Sequence, residues 1–579
     1  MKTNSSASGL RAEVRLLRRF FLPSLGLSVI VGLLSLAPSI YMLEVYGRVV
    51  DSRSLTTLLM LTLAVIGAYA VMETLEWLRA RILRQAGEWL DDRLAGRVFA
   101  AVYLTSLRSG QSASQQALAD LRVLRDFVSS PALVAVMEFP LIPVVMTLLF
   151  MIHPLLGSFT ILGGVMQATL AFLMEQRTQP PLALANKSAV AAQNYAGNSF
   201  RNAQVIEAMG MLDGIWRRWM QRQNEFLRQQ AIASDHAGGL SATAKAVQMV
   251  TSSALLGIGC WLLLEGRMGD AGLMIVASIL GGKSLQPVVH LLSNWRAVVE
   301  ARGAFARLDE LLRAMPEERP RMALPAPRGW LSVEAVTAGA PGSMVPILRN
   351  VSFALPAGEC LAVVGPSASG KSTLARLLVG VWPTLSGKVR LDGADVFAWD
   401  KEELGPWVGY LPQGVELFDG TLAENIARFG AVEMDKVEAA GSLLGIDELA
   451  AELPEGYHSR IGEDGAFLSG GQRQRVGLAR AIYGWPRFVV LDEPNSSLDE
   501  GGEIALLHML RELKARGVTV VIITHRANVL AAADRMLLLI NGMVQAYGPR
   551  DEVLAALKRR ETQTAQPRSS SATGTLPAV

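Results

Sequence analysis

The sequence predicts an all-α transmembrane domain followed by a soluble α/β domain. The 579 residues are 50% hydrophobic and only 18% charged, whereas average soluble proteins carry about 25% charged residues. Runs of 19 or more residues without Asp, Glu, Lys or Arg occur only before about residue 300. After Trp330 the charges are evenly spread, and glycine-rich turns separate short strand-like runs from helical ones, which is typical of an α/β fold.

The composition excludes several classes of protein. Its richness in bulky apolar residues excludes a disordered or fibrous chain. Two cysteines, Cys260 and Cys360, are too few for a disulfide framework or a cysteine-based zinc site. A formal net charge of +3 gives no indication of nucleic-acid binding.

Six runs are long enough to be membrane-spanning helices, because a bilayer core of about 30 Å requires about 20 apolar residues. The uncharged run from Phe139 to Met174 is too long for one span and is divided at His153-Pro154, where proline favours a turn. The first run is too long for the apolar core of a signal peptide, so no cleavage is expected. The predicted spans are 20–43, 54–72, 131–152, 155–174, 246–264 and 271–295, within a domain of residues 20–313.

The distribution of basic residues predicts the orientation in the membrane. Residues 1–19 carry five Lys and Arg, and residues 73–130 and 175–245 carry eight each. The three other loops carry two, none and one. Because positive charge stays in the cytoplasm, both termini and the two long loops are expected there. Helical periodicity in the loop that follows Glu73 indicates that the spans continue into the cytoplasm as helices.

Two ionisable residues, Glu138 and Lys283, fall inside predicted spans. Charges within a membrane are costly and usually face a cavity or a partner, so both are candidates for lining a transport pathway. The alternative for Glu138 is a position near the inner interface, where its helix leaves the bilayer.

The soluble half begins after a linker. Residues 314–329 contain four prolines among interspersed charges, which is typical of a linker. Residues 330–560 are expected to form the α/β domain. The tail at 561–579, rich in Ser, Thr and Pro, is expected to be disordered.

The strongest motif is a glycine-rich loop between an apolar strand, Cys360 to Val364, and a helical run. This is the arrangement of a P-loop, whose backbone N–H groups and helix N-terminus hold phosphates. Lys371 is expected to reach the β- and γ-phosphate oxygens, and the Ser372 hydroxyl to bind Mg²⁺. The loop consists of Gly365, Pro366, Ser367, Ala368, Ser369, Gly370, Lys371, Ser372 and Thr373.

A second element is the apolar run from Phe488 that ends in Asp492 and Glu493. A carboxylate at a strand end suits Mg²⁺ coordination by Asp492, and Glu493 can polarise an attacking water. Taken alone, this pattern is also that of a strand ending in a solvated acidic turn.

A third element carries a family resemblance. Residues Leu468, Ser469, Gly470, Gly471 and Gln472 lie between the P-loop and the Asp492-Glu493 strand. They resemble the signature of the ATP-binding cassette (ABC) family, in which ATP and Mg²⁺ are bound.

The resemblance extends to other motifs of that family. Gln413 resembles the Q-loop glutamine that senses Mg²⁺, and His525 resembles the switch histidine that contacts the γ-phosphate. The D-loop is represented by Ser497, Leu498 and Asp499. Nearly the whole chain is similar to a half-size ABC exporter, with an all-α six-helix transmembrane domain followed by an α/β P-loop nucleotide-binding domain. The family implies a homodimer in which one protomer's signature completes its partner's P-loop site, with membrane-domain contacts near 106–118 and 203–212.

The chain further resembles the type I secretion exporters of the protease, lipase and RTX-protein kind. The resemblance is carried by Asn294 to Arg302, Leu378 to Pro383 and the run Leu491-Asp-Glu-Pro-Asn-Ser. It implies ATP-driven export of an unfolded protein with a C-terminal signal across the bacterial inner membrane. It also implies a membrane-fusion adaptor and an outer-membrane channel as partners, besides the surrounding membrane lipid. Two alternatives remain open: an exporter of lipids or hydrophobic small molecules, and a membrane-bound regulatory ATPase.

One stretch departs from the family. ABC exporters usually place an aromatic residue about 25 residues before the P-loop to stack on adenine, but the run from Val336 to Ser343 has none. Adenine is therefore expected to pack on aliphatic groups, with comparable hydrolysis of GTP and ATP.

Overall fold

The computed structural model describes residues 10–109, 114–269, 271–314, 324–462 and 465–556. The segment 1–9, most of the linker and the tail at 561–579 lie outside the described residues, as do residues 110–113 of the expected contact segment 106–118. The chain divides into two compact units, one helical and one α/β, with the boundary near residue 318.

The helical unit is dominated by helices far longer than a membrane is thick. The 53 residues of α11 extend over about 80 Å at 1.5 Å per residue. The long helices therefore continue well past a bilayer, as the periodicity after Glu73 indicated. The elements are α1 (Leu10–Leu16), α2 (Arg18–Leu34), α3 (Ala37–Glu44), a π-helical turn (Val45–Val49), α4 (Val50–Ser52), α5 (Leu55–Ser109), α6 (Ser114–Val128), α7 (Pro131–Glu138), α8 (Leu141–Ile152), α9 (Pro154–Arg201), α10 (Ala203–Ala208), α11 (Leu212–Leu264), α12 (Ala271–Ser293) and α13 (Trp295–Arg313).

In the described part of the chain, five helical stretches are long and apolar enough to cross a membrane. Helices α7 and α8 add a sixth when counted as one span, although they are bent by 44°. The sequence predicted a single span over 131–152. The bend falls at Pro140, which lacks an N–H and whose ring crowds the preceding helical turn.

Glu138, at the end of α7, contacts a buried arginine. Arg79 of α5 is 6% exposed, and its Nη1 lies 3.3 Å from Oε1 of Glu138. The same nitrogen donates a hydrogen bond of 3.2 Å to Oγ of Ser28 on α2. The guanidinium of Arg79 thus joins α5 to α2 and α7.

The α/β unit contains two sheets. A four-stranded antiparallel sheet has the order β2-β1-β4-β5, and a six-stranded sheet has the order β10-β9-β3-β8-β7-β6. In the larger sheet only β10 is antiparallel to its neighbour. The strands are β1 (Leu331–Ala338), β2 (Leu348–Leu355), β3 (Cys360–Val364), β4 (Ser386–Leu391), β5 (Ala394–Asp395), β6 (Val408–Leu411), β7 (Phe488–Asp492), β8 (Thr519–Ile523), β9 (Arg535–Ile540) and β10 (Met543–Pro549).

Helices cover both faces of the larger sheet, so its central strands are buried and, apart from Asp492 and Thr519, apolar. Every residue of β7 and β8 is buried. The helices are α14 (Lys371–Leu378), α15 (Lys401–Leu404), α16 (Leu422–Ile426), α17 (Met434–Ser442), α18 (Ile446–Glu452), α19 (Gly470–Ile482), α20 (Glu500–Ala515) and α21 (Ala527–Leu530), with 3₁₀ turns at Gly405–Trp407 and Gly456–His458.

Candidate nucleotide-binding site

Four neighbouring parallel strands place the candidate residues along one edge of the larger sheet. The carboxyl ends of β3, β8, β7 and β6 lie side by side in that order, and ligands of open α/β sheets bind at such an edge. Lys371 follows β3, His525 follows β8, and Gln413 follows β6. Asp492 and Glu493 stand at the end of β7.

The glycine-rich loop 365–373 connects β3 to α14 through positions that require glycine. A Cβ on Gly365 would lie 2.1 Å from the carbonyl oxygen of Leu539. Gly370 has a φ of +99°, and a Cβ there would lie 2.7 Å from the side chain of Leu348. Between them, residues 366–368 are exposed. The loop therefore presents its backbone to solvent in front of a helix N-terminus, as anion binding requires.

Lys371 contacts the loop itself. Its Nζ donates hydrogen bonds of 2.8 Å to the carbonyl of Gly365 and 2.9 Å to that of Pro366. The side chain is 7% exposed. A phosphate at the loop would offer this ammonium the stronger, charge-assisted hydrogen bonds of an anion.

Asp492 is buried, with 2% of its surface exposed. Burial raises the pKa of this carboxyl, and Glu493 acts in the same direction, whereas a hydrogen bond from Ser372 opposes the shift. Its Oδ1 has no hydrogen-bond partner in the described part of the chain. An unpartnered carboxylate oxygen beside a serine hydroxyl fits Mg²⁺, which proteins bind through one or two oxygen side chains together with substrate phosphates.

Glu493 adopts a strained backbone conformation beside this carboxylate. Its φ is +52°, a region that residues other than glycine occupy at a cost and mostly at functional positions. Its N–H donates to the carbonyl of Ile523 at 2.9 Å. Its Oε2 accepts a hydrogen bond of 3.2 Å from Nε2 of Gln413.

His525 is exposed two residues beyond the end of β8. The preceding residue, Thr524, is buried and donates a hydrogen bond of 3.1 Å from its Oγ1 to Oδ1 of Asn495. This bond connects the turn after β8 to the turn after β7, so the imidazole emerges at the same edge as Glu493.

The signature forms the start of α19. Ser469 is the N-cap: its Oγ accepts from the N–H of Gln472 at 3.2 Å, and Oε1 of Gln472 accepts from the N–H of Ser469 at 2.8 Å. Leu468 is 6% exposed and packs in the core. Capping leaves Gly470 and Gly471 at a helix N-terminus, the position at which backbone N–H groups bind anions.

The D-loop lies against the signature. A Cβ on Gly471 would lie 3.0 Å from the carbonyl of Ser497. Asp499 caps α20 and accepts a hydrogen bond of 2.7 Å from Nη2 of Arg475, which lowers the pKa of its carboxyl. Leu498 packs against the core.

The signature and the D-loop share a groove of about 350 Å³ with one side of α18. It is lined by Ser469, Gly471, Gln472, Arg475, Ser497 and Asp499, together with residues of 445–452. None of the lining residues belongs to the loop 365–373. The candidate residues therefore fall into two groups, one at the sheet edge and one in this groove.

Two contacts at the site were not expected from the sequence. Gln474 donates from Nε2 to the carbonyl of Pro494 at 3.1 Å and so holds the turn after Glu493. Arg475 bonds Asp499 as described. Both side chains belong to the Arg-Gln-Arg run after the signature, and that run was the only signal for them.

The residues that follow the segment 336–343 present exposed apolar side chains. Met344, Val345 and Ile347 are 84%, 70% and 37% exposed. Cγ2 of Ile347 would lie 3.4 Å from a Cβ on Gly370. An apolar surface for a base is thus present beside the loop.

Comparison with known proteins gives relatives along nearly the whole chain. Residues 21–282 match the ABC transporter transmembrane region, and residues 348–496 match the ABC transporter family. The type I secretion system ATP-binding protein PrsD of Rhizobium meliloti is 40% identical over 92% of both chains. The cyclolysin secretion/processing ATP-binding protein CyaB of Bordetella pertussis is 28% identical over 92% of this chain and 75% of that one.

A solved structure shows the same fold. A bacterial Atm1-family ABC exporter with ATP bound superimposes with a TM-score of 0.83, covering 96% of this chain and 100% of that one at 22% identity. The family matches and the identity to PrsD show that the helical unit is a multi-pass domain of the inner membrane and that the α/β unit is an ATP-binding ATPase. The chain belongs to the ABC transporter family, among the type I secretion system ATP-binding proteins.

Proposed function

We propose that this chain is the ABC component of a type I secretion system, which uses ATP to export an unfolded protein with a C-terminal secretion signal. The observation that carries the proposal is the 40% identity to PrsD over 92% of both chains. An ATP site with its candidate catalytic residues on one sheet edge supports it. Exporters of lipids or small molecules and regulatory ATPases are not favoured, because the relatives named above are secretion proteins.

Each residue at the sheet edge has a separate role in ATP hydrolysis. We assign phosphate binding to the backbone of 365–370, to Lys371 and to Thr373. Ser372, Asp492 and Gln413 would hold Mg²⁺, which when bound neutralises charge on the β- and γ-phosphates. Glu493 would orient and deprotonate the attacking water, held in place by its bond to Gln413. His525 would contact the γ-phosphate.

The second group of residues requires a second copy of the chain. The groove of the signature and D-loop is lined by no residue of 365–373. The N-terminus of α19 therefore does not share this groove with the glycine-rich loop of its own chain. A head-to-tail homodimer supplies one, with Ser469 and the glycines of one protomer facing the γ-phosphate bound to its partner.

The membrane layout and the partners complete the proposal. Six spans, a linker at 314–329 and a nucleotide-binding domain at 330–560 would place both termini and the ATPase in the cytoplasm. A periplasmic membrane-fusion adaptor and an outer-membrane channel would receive the cargo. Membrane lipid surrounds the apolar surfaces of the long helices, and no nucleic acid takes part.

The experiment is an ATPase assay on the full chain in proteoliposomes. A C-terminal peptide of an RTX-type secreted protein is expected to stimulate hydrolysis, and Glu493→Gln to abolish it while ATP binding persists. A control peptide with the same composition in scrambled order should not stimulate. Stimulation by lipids or hydrophobic drugs, with no response to the C-terminal peptide, would overturn the proposal.

A further inference from the structure

Helix α12 exposes a stripe made of polar side chains. Gln286, His290 and Ser293 are exposed and Lys283 is partly exposed, at spacings that place them on one helix face. Apart from Ala271 at its first position, these are the exposed residues of α12. The remaining surface of the helix is buried or partly buried against its neighbours.

Helix α11 continues this polar surface. Nε2 of Gln248 donates to the carbonyl of Gly282 at 2.8 Å, and the hydroxyls of Ser241 and Ser293 lie 3.2 Å apart. Lys245 is exposed one turn before Gln248. We call the surface of Lys245, Gln248, Lys283, Gln286, His290 and Ser293 the α11/α12 polar groove.

The groove lies at membrane depth. Lys283 follows the start of α12 by about 18 Å and His290 by about 28 Å, at 1.5 Å per residue. Lys245 precedes the end of α11, Leu264, by about 28 Å on the same measure. With a bilayer core of about 30 Å, the groove extends from the middle of the membrane to one of its faces.

The groove is basic and carries no acidic residue. The sequence has no Asp or Glu between Asp235 and Glu265, and none within α12. Neither Lys245 nor Lys283 forms an ion pair with a residue that the structure describes. On neighbouring helices, Glu138 contacts Arg79 at 3.3 Å, and Glu175 contacts Arg302 at 2.6 Å. Among the described residues, neither lysine therefore has an internal counter-ion.

Exposing two lysines without a counter-ion and a row of amides and hydroxyls to lipid would cost too much free energy. Residues of this kind in membrane segments line aqueous pathways. We propose that the α11/α12 polar groove is the part of the export path that contacts acidic segments of the unfolded cargo. The lysines attract carboxylates. The amide nitrogen of Gln248 bonds to Gly282 and that of Gln286 lies 3.1 Å from Nε2 of His290, and the amide oxygens of both side chains can accept from the peptide N–H groups that an unfolded chain exposes. This inference rests on the proposed export of protein.

The test measures the charge preference of the full chain in nanodiscs at low ionic strength. The probes are a fluorescent, unfolded Gly/Ser/Asp peptide and its matched peptide with Asn in place of every Asp. The Asp peptide is expected to bind about tenfold more tightly than the Asn peptide, which corresponds to two modest charge contacts. A photoreactive residue introduced at position 286 should crosslink to the Asp peptide.

Variants of the two lysines test whether they cause the preference for the Asp peptide. Lys245→Gln with Lys283→Gln should remove it, and Lys245→Arg with Lys283→Arg should keep it, which separates loss of charge from loss of fold. Lys187→Gln, at an exposed position of α9, should bind as the wild type does. Equal binding of both peptides, or a preference that survives the double glutamine variant, would overturn the inference.

The ATPase assay with the C-terminal cargo peptide separates this inference from the proposed function. If that peptide stimulates hydrolysis while the charge preference is absent, the inference fails and the proposed function stands. If neither peptide binds and only lipids stimulate hydrolysis, both fail.

Discussion

Nε2 of Gln413 donates a hydrogen bond of 3.2 Å to Oε2 of Glu493. The bond joins the residues that follow two adjacent parallel strands, β6 and β7. It holds the carboxylate of Glu493, which is assigned to water activation. The backbone φ of Glu493 is +52°. An amide that orients a catalytic carboxylate contributes to rate more than to binding.

Gln413→Ala should therefore lower the kcat for ATP hydrolysis by about 10- to 100-fold and change ATP affinity little. Gln545→Ala, at an exposed position of β10, is the matched control and should retain full activity. Steady-state ATPase assays and nucleotide-binding titrations separate the two parameters. A loss confined to KM would show that Gln413 acts in binding rather than in positioning Glu493.

Asp492→Asn should stabilise the nucleotide-free protein while abolishing Mg²⁺-dependent hydrolysis. Burial raises the pKa of Asp492 in the folded state. A raised carboxyl pKa means that the folded state holds the proton more tightly, so this group's contribution to stability falls as pH rises through the folded pKa. At neutral pH the charged form is a cost that asparagine removes, and the Tm should rise by about 2 °C. An unchanged Tm from pH 4 to 8, in the wild type and the variant alike, would contradict this assignment.

The Arg79–Glu138 pair distinguishes a structural carboxylate from one in the transport pathway. Glu138→Gln leaves the buried guanidinium of Arg79 without a charge partner and should cost about 1–3 kcal/mol of stability, since Glu138 itself is 26% exposed. Arg79→Met in the same chain should recover most of that loss. Thermal unfolding of the detergent-solubilised protein measures the cycle. Secretion that stays low in the stable double variant would assign Glu138 to the pathway, and restored secretion would assign it to structure.

Ile347→Tyr should supply the ring that the segment 336–343 lacks. Ile347 is 37% exposed beside the phosphate loop, and stacking on adenine is worth about 1 kcal/mol. ATP should then bind about fivefold more tightly, and the ratio of ATP to GTP hydrolysis should rise from the value near one expected for the wild type. Equal ratios in wild type and variant, measured with both nucleotides, would remove Ile347 from the base site.

The sequence was informative where the physical signal is local. Gly365, Gly370 and Lys371 lie in one short loop and helix start, and Asp492 and Glu493 are adjacent at the end of β7. These motifs, and the strand or helix beside each, could therefore be predicted from the sequence alone. The order of β3, β8, β7 and β6, which brings His525 and Gln413 to the same edge, was not predicted. The roles of these two residues came from the family resemblance rather than from periodicity.

Contacts between distant parts of the chain were not predictable in this way. Glu138 was identified as an intramembrane charge, but its partner Arg79 lies 59 positions away on a helix that the sequence treated as a cytoplasmic extension. Arg428 is similar: its buried guanidinium donates to the carbonyls of four residues, Gly405, Val408, Arg480 and Ala481. Burial lowers its pKa to about 10. Nothing local to Arg428 marks it as a core residue.

We propose that ATP hydrolysis by this chain drives protein export. The most direct measurement is the amount of an RTX-type cargo in the medium of cells that express the chain with its adaptor and outer-membrane channel. We expect cargo in the medium with the wild type and its retention in cells with Glu493→Gln. Cargo secreted equally by the Glu493→Gln variant, or retained with the wild type while a lipid analogue is exported, would contradict it.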